Sequence, residues 1–154
     1  MIPELWAARQ RVNNSFELAS VLPTDEEISS HWARYLCVLS SGLVELGIRQ
    51  ILSEYSRRQS SEEVARFADS RIRYLMNLNT EKIRDVLSCF SPEWRTAFDA
   101  YVTDEQKDAI DSIVANRNNI VHGNPVGISF VVVKRYYERA WQVLEWLHKL
   151  VLQA

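Results

Sequence analysis

The sequence predicts an all-α protein: an up-and-down bundle with a core of four or more helices and extra short helices. Three observations carry this. Breakers are scarce, four Gly and four Pro in 154 residues, and the prolines sit at the boundaries of apolar patterns. Apolar residues recur at helical spacing in each long segment, and no segment alternates apolar and polar residues as a strand does. Hydrophobic residues make up 47% and charged residues 25%, the balance of a globular chain. At this length one domain, residues 1–154, buries roughly two thirds of the surface of its unfolded form.

The elements follow in order. Pro3 opens ELWAARQRVNNSFELAS, which ends before Pro23. Thr24 and Glu27 in TDEE form a capping-box signature for a long helix running to about Arg57. Ser60 or Ser61 caps EEVARFADSRIRYLMNL, and Thr80 caps EKIRDVLSCF. Ser91 with Pro92 starts EWRTAFDAYV, since a proline at the first helical position loses no hydrogen bond. Thr103 caps DEQKDAIDSIVANRNNIVH, which stops at Gly123, with Pro125 and Gly127 in the turn. Ser129 then caps FVVVKRYYERAWQVLEWLHKLVLQ. Its VVV run alone suggests a strand, but Phe130, Val133, Tyr137, Ala140, Leu144, Leu147 and Val151 keep helical spacing.

Composition also limits the partners. A formal net charge of −2 argues against coating nucleic acid through the overall field and leaves a local basic groove open. Cys37 and Cys89 lack the short spacing of a metal site and read as two reduced, buried thiols. The start, MIPELWAARQ, lacks a basic region followed by an apolar run, and no stretch approaches roughly 18 uninterrupted apolar residues. A cytoplasmic protein with no membrane partner is expected.

The stretch NRNNIVHG, residues 116–123, carries the chemistry. On a helical wheel Ile110, Ile113, Val114, Ile120 and Val121 span roughly 120° of one face, and Arg117 falls in the middle of it. A guanidinium aimed into an apolar contact is costly unless a carboxylate or a phosphate meets it. Glu45, in YLCVLSSGLVELGI, is a candidate carboxylate: it lies in a row with Val38 and Leu52 on a helix that is apolar nearly all round. Gly42 and Gly47 on that helix permit close approach of another backbone. A buried Glu45–Arg117 ion pair is the structural reading. Asn118 and His122 are one helical turn apart, on the edge of the same stripe. His122 also fits a purely structural role, since an imidazolium in a last turn interacts favourably with the helix C-terminus.

RNNIVH resembles the HEPN superfamily, whose ribonuclease members carry R-x4-6-H with a polar residue after the arginine. Arg117, Asn118 and His122 match that pattern. The layout is similar to the RiboL-PSP-type group: a long helix with an embedded acid, SGLVELGIRQIL, and a last helix, ISFVVVKRYYERAWQVLEWL, after the motif. The resemblance implies a helical bundle that dimerises so that two motifs face each other across a cleft and cleave RNA without a metal. His122 would move protons and Arg117 would clamp the phosphate. Asn118 would position the phosphate or His122, and Glu45 would orient the guanidinium from behind.

Other chemistry is thin. His31 and His148 are remote in sequence from each other and from the cysteines, so no zinc set and no cofactor is expected. There is no Gly-rich phosphate loop and no G-x-S-x-G. Arg57, Arg58, Arg66, Arg71 and Arg73 are interleaved with Glu62, Glu63 and Asp69, which reads as a solvated helical face ahead of an RNA-tracking surface. Of Tyr136 and Tyr137 one must face outward, and Tyr136 is the candidate for stacking on an unpaired base. Two function classes result. One is a metal-independent endoribonuclease acting on single-stranded RNA or a tRNA loop, as a toxin or defence effector, with an antitoxin protein as a candidate partner. The other is a non-catalytic HEPN-like module that dimerises and holds a partner protein or a nucleotide.

Overall fold

The computed structural model describes residues 1–22 and 25–153. Among the described residues there are seven helices and no strand: α1 (Pro3–Ser20), α2 (Glu26–Gln59), α3 (Glu62–Ile72), α4 (Thr80–Phe90), α5 (Pro92–Tyr101), α6 (Asp104–Val121) and α7 (Phe130–Leu152). Local chemistry sets most of the starts. Ser61, Ser91 and Ser129 accept the backbone N–H groups of Val64, Trp94 and Val132, and Thr103 with Gln106 closes a full capping box. Thr24 of the expected TDEE box lies outside the described residues; the cap observed for α2 is Asp25, which accepts from Glu27 and Ile28. Asn79, not Thr80, caps α4, because the Thr80 hydroxyl is turned to the Asp111 carboxylate at 2.9 Å.

One boundary differs by more than a cap. The pattern EEVARFADSRIRYLMNL predicts a helix to Leu78, but α3 ends at Ile72. Residues 73–79 form a loop, and its backbone is tied to other elements. The Arg49 Nε donates to Leu75 O at 2.7 Å, the Asn77 N–H donates to Glu45 at 2.6 Å, and the Thr80 N–H donates to Asp111 at 2.7 Å. Asn77 has φ 53°, a left-handed conformation that asparagine tolerates better than most residues and that cannot continue a helix.

α2 is the central element, packed against α1, α3, α6 and α7, while α4 and α5 pair with each other and lie against α6 and α7. Leu36, Ile48, Ile51 and Leu52 of α2 are buried with Ile110 and Ile113 of α6 and Leu144 and Leu147 of α7. Each such side chain contributes roughly 1.5–3 kcal/mol when removed from water. By length and composition α2 is apolar enough to cross a membrane, but more than half of its most apolar window is buried inside the bundle. At Gly47 a Cβ would come within 2.8 Å of a Leu144 side-chain methyl, so this glycine does let α2 approach α7 closely. Gly42 faces open space and has no such role.

The two thiols differ. Cys37 is buried against the Ile113 carbonyl, with its pKa raised to about 11 by burial, whereas Cys89 is exposed on α4, which corrects the expectation that both are buried. The buried His148 of α7 has its pKa lowered, first by burial and then by the positive charges of the amino terminus, Arg58 and Lys149. The folded state therefore resists protonation that the unfolded chain accepts near its ordinary value of about 6.5, and stability is lost as pH falls through that value. Thermal midpoints measured from pH 7.5 to 5.5 are expected to fall more steeply for wild type than for His148→Gln. Parallel curves would show that His148 does not contribute to the acid limit.

Candidate functional site

The motif lies where α6 ends. Gly123, with φ 74°, follows His122, and two bonds close the turn: the Gly123 N–H to Ile120 O at 3.1 Å and the Asn124 N–H to Asn119 O at 2.8 Å. This pair of bonds is a Schellman motif, which requires the left-handed residue that glycine supplies at no steric cost. His122 is thereby fixed as the C-cap residue, and it is exposed. The apolar stripe runs out at the same place: Ile110, Ile113 and Val114 are buried, Ile120 is half-buried and Val121 is 52% exposed.

Arg117 sits at the margin of the core rather than inside it, and is half-buried. Its Nη1 donates to Asn77 Oδ1 at 3.1 Å and to Asn118 Oδ1 at 3.2 Å. The expected ion pair with Glu45 is not formed. Among the described residues no carboxylate lies within ion-pair distance of Arg117. Glu45 instead accepts the Asn77 N–H and pairs with Arg49 at 3.5 Å, so Asn77 stands between the acid and the guanidinium. Glu45 acts on Arg117 at one remove, by holding the backbone of the residue whose side chain meets the arginine. Two amide oxygens orient the guanidinium without cancelling its charge.

The RiboL-PSP-HEPN family model matches residues 8–153. The chain belongs to that family. No curated protein and no solved structure matches it.

In this HEPN domain Arg117, Asn118 and His122 lie on the last turns of α6, Arg117 against Asn118 and Asn77, with Glu45 on the far side of Asn77. Tyr136 does not join them. It lines a cleft of about 260 Å³ with Glu105, Asp108, Arg135 and Arg139. Register places it there: Arg139 pairs with Glu105 at 2.9 Å and Gln106 Nε2 donates to Gln142 at 3.4 Å, so the third and fourth turns of α7 lie against the first turn of α6, and Tyr136, just before them, reaches Asp108. From Asp108 to Arg117 is about 13 Å along the helix axis. Tyr137, the other tyrosine of the pair, is buried, stacked on Phe16 at 4.9 Å. His31 is exposed on α2 beside Arg34. Among the described residues no three His, Cys, Asp or Glu side chains gather as a metal-ligand group.

Asn77 is the residue that sequence reading missed. Its signal was present in weak form, as the turn-prone NLNT stretch at 77–80, but nothing in the sequence links that stretch to Arg117.

Proposed function

We propose that this chain is a metal-independent endoribonuclease whose active site forms when two copies bring their α6 ends together. One observation carries the reading: a guanidinium steered by two neutral amide oxygens and, among the described residues, matched by no carboxylate, five residues before an exposed imidazole at the same helix end. That arrangement suits an incoming phosphate. Arg117 binds the non-bridging oxygens and stabilises the charge that builds on them as the ribose 2′-hydroxyl attacks phosphorus. The His122 imidazole of one copy takes the hydroxyl proton, and that of the second copy gives a proton to the departing 5′ oxygen. The P–O5′ bond breaks, leaving a 2′,3′-cyclic phosphate and a 5′-hydroxyl. Single-stranded RNA or a tRNA loop fits this exposed end of the bundle, because its backbone can take the in-line geometry that a duplex denies.

A growth-arresting toxin or defence effector, covered by an antitoxin protein when silent, is the biological role consistent with such an activity. The non-catalytic alternative, a dimerisation or nucleotide-holding module, is favoured by the net charge of −2. Incubating the purified protein with single-stranded RNA and tRNA in EDTA separates the two. Cleavage with 2′,3′-cyclic phosphate ends is expected, from a species that light scattering at micromolar concentration shows to be a two-fold dimer. Cleavage abolished by EDTA, or a strict monomer, overturns the proposal.

A further inference from the structure

The first half of α2 is apolar nearly all round, yet the bundle does not cover it all round. Cys37 and Gly47, which meet α6 and α7, are buried. On another face Ile28, Trp32, Tyr35, Leu39, Gly42 and Leu46 follow one another in alternating steps of four and three residues, and none of them is buried. Ile28 and Tyr35 stand out at 46% and 52% exposed, and a Cβ on Gly42 would meet nothing within 4 Å. Trp32, Leu39 and Leu46, between them, are half-buried. Steps of four and three residues are the heptad spacing by which one helix interdigitates with another along a seam. Here that seam is left open.

Beside the seam runs a groove of about 460 Å³, lined by Ala8 and Val12 of α1 and by Tyr35, Leu39, Gly42 and Leu46 of α2. Arg11, the charged residue that also lines it, is exposed and keeps its head group in water. Between Glu27 and Glu45 the helix carries no carboxylate and one arginine, Arg34. The seam from Ile28 to Leu46 is roughly 27 Å long. A continuous apolar strip of that length with a polar rim marks a protein contact.

Three features select a second copy of this chain as the occupant. The seam needs a helix of matching period, and α2 is itself such a helix. A two-fold contact sets a patch against itself, so like charges must be absent from its centre, and Tyr35 to Val44 includes no charged residue. Gly42, within that stretch, lets two backbones cross at close range. The seam also adjoins the motif. Val38, which lines the groove, and Glu45 are seven residues apart and so share a face of α2, and Glu45 holds Asn77 against Arg117. We propose that two copies dock through their α2 seams, crossing at Gly42, and that this contact sets the two motifs on either side of one axis. The catalytic consequence rests on the nuclease reading; the contact does not, and it is measured without RNA.

Gly42→Glu is the test. Replacing an exposed helical glycine raises helix propensity, so the single chain stays folded, while the new carboxylate is set against its own copy at the crossing. Light scattering at micromolar concentration should give twice the chain mass for the wild type and the chain mass for Gly42→Glu, with the helical circular dichroism of both alike. Tyr35→Glu, at a second exposed seam position, should halve the mass in the same way and serves if Gly42→Glu does not fold. Gly42→Cys in a Cys89→Ser background locates the crossing. Oxidised glutathione should convert it to a disulfide-linked dimer, since the two Cα atoms then lie within disulfide reach, and should not do so for Val64→Cys, exposed on α3. A wild type that is monomeric overturns the seam contact and leaves the groove to a different protein. A dimer that keeps its mass in Gly42→Glu and Tyr35→Glu also overturns it, and if that dimer cuts RNA the nuclease reading stands without it. A dimer that both substitutions break but that never cuts RNA upholds the seam and overturns the nuclease.

Discussion

His122→Ala is expected to leave a folded protein that no longer cuts RNA. The imidazole is exposed at the C-cap of α6, beyond the core, so its removal costs no more than about 1 kcal/mol through its interaction with the helix end. Loss of the proton carrier should lower kcat by about 10²–10⁴-fold. Arg117→Ala should be equally inactive but less stable, because it strips the donor from Asn77 Oδ1 and Asn118 Oδ1 at a partly buried site. Arg117→Lys retains the charge but not the planar fork, so it cannot serve both amide oxygens and a phosphate, and activity should stay low. Circular dichroism for folding and gel-resolved cleavage in EDTA measure the set. A folded His122→Ala dimer that cuts as fast as wild type removes the catalytic assignment and leaves the binding module.

Legibility in the sequence followed the range of the interactions. The end of α6 was readable because its determinants are adjacent: Gly123 supplies the left-handed residue, and the Schellman bonds span only residues 119–124. The same holds for the caps at Ser61, Ser91, Thr103 and Ser129. The stop of α3 at Ile72 was not readable, since RYLMNL keeps helical spacing and the groups that claim its backbone, Arg49 and Glu45, belong to α2. Arg117 and Glu45 were expected to pair with each other and do not, because a wheel gives angular phase and not the third element lying between two helices. The distance of Tyr136 from the motif was not legible, because the register of α7 on α6 is set by Glu105–Arg139 and Gln106–Gln142, pairs with no pattern in sequence. The family match spans α3 to α5 as well, where the sequence offers no motif of its own.

Glu45→Ala tests the inserted element directly. Removing the carboxylate leaves the Asn77 N–H without its acceptor and frees Arg49 from its ion pair, so a tie that holds the backbone of residues 73–79 to α2 is lost. The expected destabilisation is about 1–3 kcal/mol, the cost of an unsatisfied, partly buried group, and less than a directly paired Arg117 would have shown. Glu45→Gln keeps an oxygen for the Asn77 N–H and should lose about half as much. Asn77→Gly separates positioning from folding: glycine adopts φ 53° without strain, so the thermal midpoint should stay close to that of wild type, while Arg117 loses one of its two amide partners. Cleavage by Asn77→Gly should fall mainly in kcat, because a loosely held guanidinium still meets the phosphate in the ground state but is less well aimed at the charge of the transition state. Should Glu45→Ala melt with wild-type stability and cut at the wild-type rate, the path from Glu45 through Asn77 to Arg117 carries no weight in the folded protein.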